Sequence, residues 1–266
     1  MCHIICRSAL CAILVLSLHA LPVDAASSSS VQNRDIHSVW ERFMPKPAPT
    51  LKARMIGPGR VVGDLPELRK VAAEGDWEFR QKGYEIYFAA RQDLARGIYG
   101  LAVDAGDVPA DMHLARFEQG VSGFHYSLDQ VCRWADKALR GEAAWSTPEE
   151  RQFLDWLLID GVIDIRNGKA VPAGRVTHVL GAAQGKKRDF TTNLVHERLH
   201  ILWDEDVAFR LVAKARWNAL SEREKEAVYA SLPGYSRERE ELILEEWFVR
   251  ESETMALEQR RQLVGM

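Results

Sequence analysis

The chain has 266 residues, 47% of them hydrophobic and 27% charged, enough apolar material to bury one or two cores. Its formal net charge of −3 provides no basic surplus for a nucleic-acid or anionic-membrane partner. Small molecules, peptides and neutral proteins remain as partners.

Residues 1–25 differ in kind from the rest. Arg7 gives a weakly positive start, Ala9 to Leu18 is nearly all apolar, and Val23-Asp24-Ala25 puts small residues where a signal peptidase reads. This is the pattern of a cleaved export signal, and the apolar run is shorter than the roughly 20 residues a spanning helix needs. The mature protein is therefore expected in the periplasm or outside the cell, with no stable membrane anchor. Cys2, Cys6 and Cys11 fall inside the leader, so Cys132 is the one cysteine left and no intrachain disulfide can form. Cys132 lies in the helical pattern Leu128 to Leu139 and reads as a small core residue.

Residues 26–63 carry the serine run Ser27 to Ser30 and then Pro45, Pro47, Pro49 and Pro58, which predicts an extended, partly disordered lead-in. Compact structure is expected from about Asp64. A helical subdomain follows over 64–145, with helices over Leu65 to Ala73 and Trp77 to Gly97, and another opened by the capping box Ser127-Leu128-Asp129-Gln130. Residues 146–266 read as a second, catalytic subdomain. Thr147-Pro148-Glu149-Glu150 starts its first helix, combining an N-cap, a proline in the first turn and a glutamate three residues on. Two β-prone stretches come next, Val162 to Ile165 and Arg175 to Leu180, separated by Asn167, Gly168, Pro172 and Gly174. They predict a small hairpin or short sheet. Helices are then expected from about Thr191 to Trp203, from Asp206, from a cap at Ser221 and Glu224, and after Pro233-Gly234. The fold class is mainly α with a little β, an α+β protein.

His196-Glu197-Arg198-Leu199-His200 matches H-E-x-x-H, in which two imidazoles four residues apart share one helical face and one zinc ion. With eight histidines in the chain, about 0.02 such patterns are expected by chance. Glu197 is turned about 100° from His196, so it can reach a water at the metal rather than the metal itself. Zinc lowers the pKa of bound water towards about 7 and polarises a carbonyl, while a carboxylate moves the proton to the departing amine. Leu194, Val195, Leu199, Ile201, Leu202 and Trp203 cover most of the helix circumference and leave the two histidines and Glu197 on a narrow polar sector. The strand-like segment Arg175 to Leu180, just upstream, is where a peptide substrate would add as an extra strand.

A hydrolytic zinc site takes three protein ligands and one open position. Helical phase favours Glu246, which shares its face with Leu242, Ile243 and Val249; Glu245 lines up with Glu238, Glu241 and Ser252 on a face that reads as solvated. Glu245 remains an alternative third ligand, and so does Asp206. Asp204, one turn beyond His200, is a candidate to orient an imidazole, and Tyr235 and His178 are candidate oxyanion donors, with His125 and Tyr126 weaker ones.

On His196 to His200 and the helix around Glu246, the segment resembles the zincin metallopeptidases, in an arrangement like their gluzincin branch, where a later glutamate completes the zinc site. The resemblance covers about a third of the chain. It implies a helical zincin-like catalytic domain with Glu197 as general base and a peptide or protein substrate. Asp206 would be the third ligand in the metzincin spacing H-E-x-x-H-x-x-G-x-x-(H or D), but Trp203 stands where that spacing has glycine, and a bulky residue is strained in the left-handed turn glycine accepts. The sequence also accommodates two other functions: a non-catalytic helical protein of the cell envelope with zinc structural or absent, and a zinc amidase acting on cell-wall peptides.

Overall fold

The computed structural model describes residues 53–55, 59–63, 81–142, 147–184, 190–233 and 235–253. All belong to one compact unit, Pro45–Met266. The export signal, the serine run and the expected helix Leu65 to Ala73 lie outside the described residues. No described helix is long and apolar enough to cross a membrane.

The described residues form eight helices and seven short strands, so the protein is mainly α with some β. Strands β1 (Ala53–Met55), β2 (Gly59–Val62), β3 (Gly83–Phe88), β4 (Gly123–Ser127) and β7 (His178–Ala183) make one sheet in the order β1-β2-β3-β7-β4. β2, β3 and β7 run parallel, and β1 and β4 run antiparallel to their neighbours. Strands β5 (Ile163–Arg166) and β6 (Lys169–Pro172) form a separate hairpin. The helices are α1 (Arg91–Ala105), α2 (Leu114–Gly120), α3 (Leu128–Leu139), α4 (Pro148–Ile159), α5 (Phe190–Glu205), α6 (Val207–Ala219), α7 (Glu222–Ser231) and α8 (Glu240–Glu253).

Three helix starts follow directly from the sequence. Ser127 and Gln130 cap each other reciprocally at α3, Thr147 accepts from the Glu150 amide at α4, and Ser221 and Glu224 close a second capping box at α7. Cys132 is buried in α3, where burial pushes its thiol up to about 11 and away from nucleophilic use.

The strands depart from expectation. The predicted helix Trp77 to Gly97 is replaced, over Gly83–Phe88, by the strand β3, every residue of which is buried. A strand covered on both faces shows no alternation of polar and apolar residues, so its pattern does not separate it from a buried helix. Val162 to Ile165 pairs not with Arg175 to Leu180 but with Lys169–Pro172, through a turn in which Asn167 and Gly168 both have positive φ, 53° and 73°. That is the Asn-Gly signature of a tight hairpin. The boundary expected between 145 and 146 runs through one sheet, which takes β1 to β4 from one side and β7 from the other. Compact structure also begins before Asp64, since β2 is already a buried strand of that sheet.

The sheet positions α5. On one face Val61, Tyr87, Leu180 and Ala182 pack against Phe190, Leu194 and Ile201 of α5. On the other, Phe124 of β4 meets Phe153 of α4, which in turn meets Trp134 of α3. A second core joins Leu199 and Trp203 of α5 to Phe209, Trp217, Phe248 and Val249 of α6 and α8. Between the two apolar contacts, a buried ion pair ties α5 to β3: Arg198 donates to both carboxylate oxygens of Glu85 at 2.8 and 2.9 Å, and the Tyr87 hydroxyl also donates to Glu85.

Candidate metal centre and cleft

With Leu194 and Ile201 committed to the sheet and Leu199 and Trp203 to the second core, α5 turns His196, Glu197 and His200 towards a cleft of about 1030 Å³. All three are buried. The Nε2 atoms of His196 and His200 lie 3.3 Å apart. Glu246 of α8 faces both, with Oε2 3.6 Å from His196 Nε2 and Oε1 3.5 Å from His200 Nε2. Donors about 2.0–2.1 Å from one tetrahedral ion lie about 3.3 Å apart, and one ligand atom from each of the three residues lies within 4.8 Å of the others, close enough to share an ion. The buried Glu246 Oε2 accepts no hydrogen bond, with the Arg250 guanidinium 3.7 Å away, and a carboxylate oxygen without a hydrogen bond in the interior is unfavourable. The donor set fits a divalent metal.

The outer nitrogens of the two imidazoles are each held by a carboxylate. His200 Nδ1 lies 2.7 Å from Glu245 Oε1, and His196 Nδ1 is hydrogen-bonded to Glu253. If each Nδ1–H donates outward, each Nε2 presents a lone pair to the centre, the usual arrangement around a metal-ligating histidine. Burial opposes charge on His200, yet the Glu245 hydrogen bond and the negative charges of Glu246 and Glu197 outweigh it and raise its pKa to about 9.

Glu197 does not join the donor triangle. It lies against the start of β4, so closely that a Cβ added at Gly123 would overlap its Oε1. Tyr235 lines the same cleft and hydrogen-bonds to Glu246; burial, with that carboxylate's charge, raises its pKa and keeps the phenol protonated. It is a neutral O–H donor beside the donor triangle.

The other sequence candidates go elsewhere. Asp206 caps α6, accepting from the Ala208 and Phe209 amides at 2.7 and 3.2 Å. The helix continues through Trp203 to Glu205, so the sharp turn that would bring Asp206 back is not made. Glu245 is only partly exposed and holds His200 from its outer side, unlike the solvated position expected for it. Asp204 does not orient His200; its Oδ2 lies 3.7 Å from both His125 Nε2 and His178 Nδ1. His178 belongs to that second cluster and reaches the first through His125, whose ring stacks on His200 at 5.6 Å and 9°. Nor is the upstream strand open to a substrate, because β7 is hydrogen-bonded to β3 on one side and β4 on the other. The edge beside the cleft is β4, which has no outer strand partner among the described residues.

Three residues of the site were missed in the sequence. Glu253 follows Glu246 by seven positions, two helical turns on, and could have been found by extending that stripe. Gly123 carries no local signal, since its importance comes from Glu197 far along the chain. Asp107, a cleft-lining carboxyl hydrogen-bonded to buried Tyr126 and raised in pKa chiefly by desolvation, is likewise legible only in three dimensions. In comparisons with known proteins, no family model, no curated protein and no solved structure matches this chain.

Proposed function

We propose that the protein is an exported zinc-dependent peptidase in which His196, His200 and Glu246 hold the metal and Glu197 is the general base. The observation that carries this reading is the buried Glu246 carboxylate, whose Oε2 accepts no hydrogen bond, facing two imidazoles whose outer nitrogens are held by Glu245 and Glu253. A zinc ion there would lower the pKa of water and polarise a scissile carbonyl. Glu197, on the same face but outside the donor triangle, takes a proton from the attacking water and returns it to the departing amine. Tyr235, kept neutral, would turn its single O–H from Glu246 to oxygen charge developing beside it. The cleft and the outer edge of β4, which has no strand partner among the described residues, suit an extended peptide, whose main chain would pair with Gly123–Ser127 while its scissile bond lies near Glu197.

Glu197→Gln tests the reading. The variant should keep its zinc and lose hydrolysis of a peptide library by at least about a hundredfold, the range a general base contributes. A Glu197→Gln protein that cleaves as fast as wild type would overturn the assignment.

A further inference from the structure

The second histidine cluster is not used by the chemistry above. His125 of β4 and His178 of β7 are diagonal neighbours on the face of the sheet that meets α5. Their facing nitrogens, His125 Nε2 and His178 Nδ1, are 2.9 Å apart, and Asp204 Oδ2 lies 3.7 Å from each. We propose that His125, His178 and Asp204 form a second cation site, distinct from the His196, His200 and Glu246 centre, that takes a divalent first-row metal such as zinc.

The three separations bracket the edge of about 3.3 Å expected between ligands of one tetrahedral zinc ion. Two imidazoles and one carboxylate are a borderline donor set suited to zinc and its neighbours. A histidine pair sharing one proton would account for the 2.9 Å contact but not for Asp204, which faces both nitrogens from beyond hydrogen-bond distance of either. His178 is also prepared as a ligand: its Nε2 lies 3.0 Å from Glu205 Oε1, and with the proton on that nitrogen, Nδ1 is left as a lone pair. Glu205 is fixed in turn by Thr177 at 3.0 Å and Lys82 at 3.4 Å.

Both imidazoles are largely buried, whereas Asp204 is exposed and borders a second cavity of about 500 Å³ as well as the main cleft, which gives an ion a route in. His196, His200 and Asp204 recur every four residues along α5, so one helical stripe serves both sites. Glu205, Glu245, Glu246 and Glu253 supply negative charge around two neighbouring cations. A metal at the second site ties β4, β7 and the end of α5 together and, through the His125 ring stacked on His200, steadies a ligand of the first.

The test is the zinc content of the purified protein after dialysis against zinc, with Asp204→Asn and His125→Phe compared to wild type. Phe keeps the ring against His200, and Asp204 is solvent-exposed, so both variants should fold, as circular dichroism would verify. Each should lose one zinc per chain, and the cobalt-loaded forms should lose part of the visible absorption. Glu246→Ala should lose a different zinc, so that Glu246→Ala with Asp204→Asn retains none. Folded Asp204→Asn and His125→Phe proteins with the wild-type zinc content would overturn the second site and leave the first untouched. If those two variants lose zinc and Glu246→Ala does not, the first centre fails and the second stands.

Discussion

At the residue scale, the two adjacent carboxylates Glu245 and Glu246 do different things because helical phase sends them to opposite sides of one imidazole. Glu246 meets the inner nitrogens of both histidines, and Glu245 the outer nitrogen of His200. Glu246→Ala should therefore abolish zinc binding at the centre, whereas Glu245→Gln and Glu253→Gln should weaken it by about 10–100-fold, which competition with a chelator would measure. Gly123→Ala should push Glu197 aside, lowering kcat with zinc content unchanged. The pH dependence follows from His200, whose folded pKa of about 9 lies above the roughly 6.5 of an unfolded histidine. In metal-free protein its stabilisation is complete below about pH 6.5 and is lost as pH rises through about 9. Thermal unfolding of the chelator-treated protein should show that decline. Zinc must displace the same proton, so its apparent affinity should rise with pH until about 9.

At the element scale, α5 is held by two apolar faces and one buried ion pair. Glu85 is fully buried, so Glu85→Ala would leave Arg198 without its carboxylate under the helix that carries the centre. That change should destabilise the fold by about 3–5 kcal/mol in denaturant unfolding, more than loss of a surface pair would. What could be read in advance was the local chemistry. The caps at Ser127, Thr147 and Ser221 work within three residues, the spacing of His196 and His200 spans four, and the phase of Glu246 is set within one helix. What could not be read depends on partners distant in sequence. β3 is uniformly buried and loses the alternation that marks a strand, and β7 was expected at an edge but is covered by β3 and β4. Nothing near Glu245 or Glu253 in the chain announces that each meets a histidine some 45 or 57 positions away.

A short mixed sheet lies between α5 on one face and α3 and α4 on the other, and the cleft is lined by the histidines and by β4, the edge strand of that sheet among the described residues. Export belongs to the same reading, and N-terminal sequencing of protein from the native cell envelope or medium should begin at Ala26. On the proposed reading, His196, His200 and Glu246 share one zinc ion. A crystal structure of the zinc-loaded protein with anomalous data at the zinc edge addresses it most directly. A peak about 2.0–2.2 Å from His196 Nε2, His200 Nε2 and a Glu246 carboxylate oxygen is the predicted result. No peak there, or one bound through Glu245 or Asp206 in place of Glu246, would contradict it.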